Sequence, residues 1–169
     1  RGVFSRGALD AGTRLLLTEP LTLPVAGDLL DLGCGSGAIA VTMARRCPGA
    51  TVWAVDVNER AVALTVANAA RAGVRNVRAC TPESVAPDVR FDAIWSNPPI
   101  RIGKVALHHL LTTWLARLSR PDAEAVLVVQ KHLGSDSLAT WLGDEGWLTE
   151  RIRSRSGYRL LRVRASDHA

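Results

Sequence analysis

The sequence is poor in cysteine, in lysine and in long apolar runs. Its three cysteines, Cys34, Cys47 and Cys80, are odd in number and widely spaced, which suits neither a disulfide framework nor a zinc site. No apolar stretch approaches the roughly 20 residues that cross a bilayer, and the amino terminus lacks the basic-then-apolar pattern of a signal peptide. We therefore expect a soluble, cytoplasmic protein with reduced thiols, no metal ion and no membrane partner.

The chain nevertheless contains enough apolar side chains to build a core. Hydrophobic residues make up 47% of its 169 residues and charged residues 22%, with a mean hydropathy of +0.10. Disordered chains combine low hydrophobicity with high net charge, so disorder is excluded as the main state. Because no repeat, low-complexity segment or interdomain linker is evident, we expect residues 1–169 to form a single domain.

Positive charge is carried almost entirely by arginine. The chain has 21 basic and 16 acidic residues, a net charge of +5, and its only lysines are Lys104 and Lys131. Guanidinium groups match phosphate geometry, so this surplus is compatible with a nucleic-acid partner. An arginine-rich codon usage, or a terminal strand whose arginines face water, explains the bias equally well. Six arginines lie in the last twenty residues, namely Arg151, Arg153, Arg155, Arg159, Arg162 and Arg164.

Strand-type and helix-type segments alternate along the chain. Continuous apolar strands separated by helices predict a parallel sheet covered on both faces. Two polar–apolar alternating runs, 149–155 and 158–164, are separated by Ser156 and Gly157 and predict a terminal antiparallel hairpin. The fold class is therefore α/β, a doubly wound, Rossmann-like, mostly parallel seven-stranded sheet. The other expected strands are 29–32, 52–55, 77–80, 93–95 and 125–129, and the expected helices are 8–17, 38–46, 59–72, 103–117 and 137–145.

A glycine-rich loop directly follows the first predicted strand and opens a helix. Such loops let backbone amides approach a ligand, and the helix amino terminus favours negative charge. Gly33, Gly35 and Ala38 also match a dinucleotide-binding fingerprint, with Asp56 about the right distance downstream, so an NAD-linked reductase is an alternative. Two features favour a ligand other than NAD. The negatively charged Asp31 side chain would face the pyrophosphate of NAD, whereas it could orient an amine, and Gly37 adds a third glycine at alternating spacing.

The fourth strand ends in Asn97, Pro98 and Pro99. Two prolines remove two backbone donors and fix a rigid bend, so what remains is mainly acceptors. The Asn97 side-chain oxygen and the Pro98 carbonyl can point at one place without competing donors nearby. Such a site suits a planar amino group, whose hydrogens are accepted while the nitrogen lone pair attacks an electrophilic methyl group.

Ligand-type residues follow four successive predicted strands. Gly33, Asp56, Thr81 and Asn97 each come just after a strand ends. In open α/β sheets, ligands bind at the carboxyl edge of the strands. We expect these four residues to meet at one edge, and their coincidence is a stronger signal than any single motif.

These motifs resemble those of class I S-adenosylmethionine (SAM) methyltransferases. The loop beginning at Asp31 has the form D-x-G-x-G-x-G, and the segment from Asn97 is similar to the N-P-P-aromatic motif of amino methyltransferases. The resemblance implies SAM as the cofactor, with Asp56 accepting hydrogen bonds from the ribose hydroxyls and Thr81 near the adenine. It implies a catalytic role for Asn97, Pro98 and Pro99. The implied cofactor-binding residues are Asp31, Gly33, Cys34, Gly35, Gly37, Asp56, Val57, Thr81, Asn97, Phe4 and Thr13.

The flanking segments resemble the small-domain methyltransferases that modify guanine N2 of ribosomal RNA. The resemblance rests on residues 2–17 and on the Gly157–Tyr158 segment. It implies that the Phe4–Ser5 pair and the Asp10-x-Gly12-Thr13 entry to a leucine-rich helix form one wall of the SAM pocket. Ribosomal RNA or an assembling ribosomal subunit is the implied partner. Ile100 stands where relatives carry an aromatic residue, so either another residue stacks on the target or the substrate is held differently. Phe4 is our candidate for stacking, although a hydrophobic contact with the first helix explains it equally well. The expected substrate-binding residues are Ile100, Arg101, Lys104 and Lys131.

Two other functions share these residues. Methylation of a protein glutamine or a small amine uses the same Asn-Pro-Pro chemistry. A catalytically inactive SAM- or RNA-binding partner, with Ile100 marking lost catalysis, is a second possibility. The modified nucleotide and the oligomeric state are not specified by any motif.

Overall fold

The computed structural model describes residues 9–119 and 122–166. Within them, all seven strands belong to one sheet in the order β3-β2-β1-β4-β5-β7-β6. None of the described helices is long and apolar enough to cross a membrane. The strands are β1 Ala26–Leu32, β2 Gly49–Val55, β3 Val77–Cys80, β4 Ala93–Ser96, β5 Glu124–Gln130, β6 Trp147–Arg155 and β7 Tyr158–Ala165. The helices are α1 Ala11–Thr18, α2 Ala38–Arg46, α3 Glu59–Ala72, α4 Lys104–Leu115 and α5 Ser135–Asp144.

The first five strands are parallel, as predicted. Strand β1 lies between β2 and β4, so that Leu32 is level with Val55 on one side and with Ser96 on the other. Between β3 and β4, a segment that contains Pro82 and Pro87, the chain forms only a short 3-10 turn at Pro82–Ser84. The alternating sheet and helices confirm the doubly wound, Rossmann-like fold class.

The predicted antiparallel hairpin is present and closes the sheet. Ser156 and Gly157 both have positive φ, 51° and 79°, which is the conformation of a two-residue type I′ hairpin turn. Strand β7 returns between β5 and β6 and pairs antiparallel with both. This order places the beginning of β7 beside the end of β5.

Apolar side chains cover both faces of the sheet. On one face, Leu16 of α1 and Met43 of α2 pack with Trp95 in a buried cluster. On the other face, Leu111 of α4 and Leu142 of α5 belong to a second cluster. Alternate residues of each central strand point to opposite clusters, which is why the strands are apolar along their length.

Two of the five described helices have the boundaries expected from the sequence. Helices α2 and α3 have the predicted bounds, and Asn58 caps α3 by accepting a hydrogen bond from the Arg60 amide at 3.0 Å. Helix α1 was expected to begin at residue 8, which lies outside the described residues. It begins at Ala11, because Asp10 caps it by accepting a hydrogen bond from the Thr13 amide at 3.0 Å. Helix α4 spans Lys104–Leu115 and follows a 3-10 turn over Ile100–Ile102. The predicted range, 103–117, was therefore too long at both ends.

Candidate active site

The four expected ligand-type residues lie at one edge of the sheet. Gly33, Asp56, Thr81 and Asn97 are each the first residue after β1, β2, β3 and β4, and these strands are parallel neighbours. Hydrogen bonds tie the strand ends together. The Gly33 amide donates to the Val55 carbonyl at 2.8 Å, and the Ser96 hydroxyl donates to the Leu32 carbonyl at 2.7 Å. The predicted meeting of these positions is therefore confirmed.

The glycine loop combines close packing on one side with open space on another. A Cβ atom at Gly37 would lie 2.7 Å from Cγ2 of Thr65, so only glycine lets the start of α2 approach α3 this closely. A Cβ at Gly35 would meet no atom within 4 Å. Both residues have positive φ. The loop thus leaves room above Gly35 at the carboxyl edge of the sheet.

Asp31 is a buried carboxylate with one oxygen unpaired. Its Oδ2 accepts the Ala40 amide at 2.9 Å, whereas Oδ1 has no hydrogen-bond partner among the described residues. Burial raises the pKa of Asp31 to about 7, against the opposing hydrogen bond from Ala40, and the negative charge of Asp56 adds to the rise. An unpaired buried acceptor is costly, so this oxygen is suited to a cationic or hydrogen-bonding ligand.

Asp56 is held beside the loop by two backbone amides. Its Oδ2 accepts the Gly35 amide at 3.0 Å and its Oδ1 accepts the Asn58 amide at 2.9 Å. Each carboxylate oxygen can accept more than one hydrogen, so two adjacent hydroxyls can still bind. Val57, the next residue, is 79% exposed and borders the same edge.

Cys34 and Thr81 complete the cofactor side of the site. The buried Cys34 thiol accepts a hydrogen bond from the Thr65 hydroxyl at 3.4 Å, and burial raises the pKa of Cys34 to about 12. A thiol with so high a pKa is a packing residue and not a nucleophile. Thr81 is half-buried, and its hydroxyl lies 3.4 Å from that of Ser84.

The amide of Asn97 has a defined orientation. Its Nδ2 donates to Oδ2 of Asp10 at 2.8 Å and to the Thr13 hydroxyl at 3.1 Å. These two bonds use both hydrogens of the amide nitrogen, and they leave Oδ1 as the group presented to a ligand. Thr13, expected as a wall of the cofactor pocket, is thus placed directly against Asn97. Asp10 belongs to the N-terminal segment that the resemblance placed at the wall of the SAM pocket, but its hydrogen bond with Asn97, 87 positions later, was not expected.

Tyr158 is a residue that sequence reasoning did not assign to the site. Its hydroxyl donates to Oδ1 of Asp10 at 3.5 Å. The ring packs on Gly12, where a Cβ atom would lie 2.7 Å from Cε1 of the tyrosine. Burial and the negative charge of Asp10 raise the pKa of Tyr158. The Gly157–Tyr158 segment of the resemblance was the available signal, but the contact of Tyr158 with α1 is not visible in the sequence.

The two prolines turn the chain against the glycine loop. Pro99 has φ −74° and ψ 76°, an inverse γ-turn, and the Ile100 amide donates to the Pro98 carbonyl at 2.9 Å. The expectation that no donor competes for this carbonyl was therefore wrong, although the second lone pair remains. A Cβ at Gly33 would lie 3.8 Å from Cδ of Pro99, so the proline bend and the loop are adjacent.

The expected substrate-binding residues are only partly brought together. Ile100 and Lys104 line one cavity of about 150 Å³, with apolar neighbours that include Leu107 and Leu138. Arg101 and Lys131 are exposed, and they are not among the residues lining this cavity. Phe4, the candidate for stacking on the target, lies outside the described residues.

Comparison with known proteins identifies the family. Residues 1–162 match the model of the methyltransferase small domain. The chain belongs to this family. It is 32% identical over 166 residues to the uncharacterized protein YbxB of Bacillus subtilis, covering 96% of this chain and 82% of the relative. It is 38% identical over 148 residues to ribosomal RNA small subunit methyltransferase C of Ectopseudomonas mendocina, covering 79% of this chain and 44% of the relative.

A solved structure of similar fold contains both a cofactor and a nucleoside. The Thermus thermophilus 16S rRNA N2 G1207 methyltransferase, in complex with AdoMet and guanosine, aligns with a TM-score of 0.73 and 23% identity. The alignment covers 96% of this methyltransferase small domain and 45% of that chain. The chain therefore spans less than half the length of these two ribosomal RNA methyltransferases.

The residues at the sheet edge fit the expected cofactor. The family to which the chain belongs uses SAM as its cofactor, which confirms the expected cofactor. Three observations of the site suit it: the unpaired buried oxygen of Asp31, the open space above Gly35, and the fixed carboxylate of Asp56. The described residues contain no group of three or more His, Cys, Asp or Glu side chains positioned to hold a metal ion.

Proposed function

We propose that this chain transfers a methyl group from SAM to an exocyclic amino group, namely N2 of guanine in ribosomal RNA. The observation that carries the proposal is the orientation of Asn97, whose amide nitrogen is held by Asp10 and Thr13. The names of the similar ribosomal RNA methyltransferases, one of them solved with guanosine, support the choice of guanine N2. Ribosomal RNA or an assembling subunit is the proposed partner.

The cofactor side of the proposal uses the buried and fixed carboxylates. SAM, when bound, supplies an electrophilic methyl group on a positively charged sulfur. Asp31 offers its unpaired oxygen to the cationic methionine portion, and Asp56 accepts hydrogen bonds from the ribose hydroxyls. The loop from Gly33 to Gly37, with Cys34, lies against the methionine portion, while Val57 and Thr81 border the adenosine portion.

The substrate side uses acceptors at the end of β4. Oδ1 of Asn97 and the second lone pair of the Pro98 carbonyl accept the two hydrogens of the amino group, which leaves its nitrogen lone pair directed at the methyl group. These acceptors stabilise the positive charge that develops on the nitrogen, and the proton leaves afterwards to water. Pro99 keeps the bend rigid, and positioning of the two reactants supplies much of the rate enhancement.

The cavity beside Ile100 replaces an aromatic platform with an aliphatic one. Its apolar wall contacts the target base, and Lys104 at its rim attracts a neighbouring phosphate. Arg101 and Lys131 supply further positive charge at the same edge of the sheet. A stacked aromatic contributes about 1 to 3 kcal/mol per base, so an aliphatic wall binds the base more weakly and leaves affinity to contacts elsewhere.

Replacing Asn97 tests this proposal. In Asn97→Ala, we expect SAM affinity to remain close to that of the parent and turnover to fall by about 100-fold or more, the usual loss for a positioned charge-stabilising group. The assay transfers a radiolabelled methyl group from SAM to ribosomal RNA isolated from cells that lack the gene. Nuclease digestion and chromatography then locate the label.

Three results would contradict the proposal. Unchanged turnover in Asn97→Ala would exclude the mechanism. Label recovered in a protein glutamine or a small amine, and not in guanine, would assign the other substrates. Absence of label where calorimetry shows SAM binding would indicate an inactive binding partner. The unfolding temperature of the variant serves as the control for loss of fold.

A further inference from the structure

Two adjoining cavities form a groove between α1 and the end of β6. Their volumes are about 340 Å³ and 260 Å³, and both are lined by Leu15, Thr18 and Arg155. One cavity extends to Arg14 and Ser156, and the other extends to Arg153. We call this the α1–β6 groove. The groove adjoins the site described above, but none of the side chains that line it takes part in the reaction proposed there.

The charge of the groove is positive. Arg14 on α1 and Arg155 on β6 are exposed, and neither pairs with a carboxylate among residues 9–119 and 122–166. Arg153 is neutralised by Glu19, with Nε and Oε2 2.8 Å apart. One unneutralised guanidinium therefore stands on each wall of the groove. Guanidinium groups are weakly hydrated and match phosphate oxygens in a bidentate geometry.

The groove begins at the residues that hold Asn97. Arg14 directly follows Thr13, whose hydroxyl accepts from the Asn97 amide. On the opposite wall, the turn after Arg155 leads within three residues to Tyr158, whose hydroxyl contacts Asp10. A chain bound in the groove is thus adjacent to the acceptors that bind the amino group. Helix α1 has eight residues and is about 12 Å long, the axial length of roughly three nucleotides of one strand.

We propose that the α1–β6 groove binds the phosphate backbone of the RNA strand that carries the target guanine, with Arg14 and Arg155 each contacting a phosphate. The inference rests on the proposed function and extends it, because the weak base-binding wall at Ile100 leaves affinity to be found elsewhere. A polyanion is favoured over a small substrate because the groove is long, carries two unneutralised charges and ends beside the reacting group.

The test is a double variant with a matched control. Arg14→Ala/Arg155→Ala removes both unneutralised groove charges. Arg71→Ala/Arg75→Ala removes two exposed arginines at and just after the end of α3, near the opposite edge of the sheet. Binding of each protein to unmodified small-subunit ribosomal RNA, transcribed in vitro, is measured by filter binding over a series of salt concentrations. SAM affinity is measured in parallel by calorimetry.

The groove variant should bind RNA about 100-fold more weakly at low salt, as expected for a loss of about tenfold for each of two charged contacts. The slope of log K against log salt should decrease in magnitude by about 1.4, that is about 0.7 for each single-strand phosphate contact. The control should stay within about threefold of the parent, because its charges lie beside β3, at the opposite end of the strand order from β6. SAM affinity should be unchanged in both.

The outcomes separate this inference from the proposed function. The inference that the groove binds RNA would be overturned if the groove variant and the parent had equal RNA affinity. It would also be overturned if the groove variant and the control lost equal affinity. Methyl transfer to guanine would then still stand. RNA binding that depends on Arg14 and Arg155 without any methyl transfer would keep the groove and reject the proposed reaction. A parent protein that does not bind RNA, or that binds an acidic protein through the same arginines, would overturn the inference.

Discussion

Asp10 is the residue whose replacement tests the geometry of the site most directly. One oxygen of its carboxylate accepts two hydrogen bonds, from the Thr13 amide at 3.0 Å and from Nδ2 of Asn97 at 2.8 Å. The first bond caps α1 and the second orients the catalytic amide. Asp10→Ser separates the two roles, because a serine hydroxyl still caps a helix but is too short to reach Asn97. Asp10→Asn keeps a neutral acceptor for both bonds, and Asp10→Ala removes both.

The expected magnitudes follow from these contacts. A hydrogen bond to a charged group contributes about 1.5 to 3 kcal/mol, and the partly exposed position of Asn97 favours the lower figure. Loss of about 1.5 kcal/mol corresponds to about a tenfold smaller population of the correct amide orientation. We therefore expect turnover to fall about tenfold in Asp10→Ser and about threefold in Asp10→Asn. Asp10→Ala should additionally lose about 1 kcal/mol of stability with the cap.

The assay measures single-turnover methyl transfer at saturating SAM and RNA, together with SAM affinity and the unfolding temperature. Asp10→Ser should keep the unfolding temperature and SAM affinity of the parent while its rate falls. Asp10→Asn should recover most of the rate. If the rate losses of the three variants instead follow their losses of unfolding temperature, Asp10 acts only as a helix cap. Full activity in Asp10→Ser would refute the argument that Asn97 needs this partner.

Two further predictions concern the cofactor. Asp56→Ala should weaken SAM binding by about 1.5 to 3 kcal/mol, the range for charged hydrogen bonds, and equal affinity by calorimetry would remove Asp56 from the site. The pKa of Asp31 is raised to about 7, so in the free protein its carboxyl group is protonated below about pH 7. A cationic ligand that binds the carboxylate must displace this proton. SAM affinity should therefore rise about tenfold from about pH 6 to about pH 8. Asp31→Asn should abolish this dependence, and a pH-independent parent would contradict the role of Asp31.

The features that could be predicted from the sequence are those encoded locally. Each of the first four strands contains a short, mostly apolar run, and the residue that follows it is glycine, aspartate, threonine or asparagine. Because parallel strands share one carboxyl edge, this spacing was sufficient to bring Gly33, Asp56, Thr81 and Asn97 together. Helix α3 was bounded correctly because Asn58 at its start and Gly73 at its end are strong capping residues.

The features that could not be predicted depend on contacts between distant residues. The orientation of Asn97 is determined by Asp10, 87 positions earlier, and no local pattern indicates that pairing. The sequence of the proline bend indicated hydrogen-bond acceptors. Only the structure shows that the Ile100 amide donates a hydrogen bond to the Pro98 carbonyl and so uses one of its lone pairs. In both places the residue type was predicted, whereas the direction of its hydrogen bonds required the structure.

The antiparallel hairpin explains why Tyr158 reaches the site. Gln130 at the end of β5 pairs with Tyr158 at the beginning of β7, so an antiparallel strand starts at the edge where the parallel strands end. A parallel strand in the same place would begin at the opposite edge and would bring its last residue to the site. The type I′ turn at Ser156 and Gly157 fixes this register. The hairpin therefore brings Tyr158 to Asp10, and it places Arg155, which precedes the turn, in the α1–β6 groove. One turn thus supports both the orientation of Asn97 and the proposed contact with RNA.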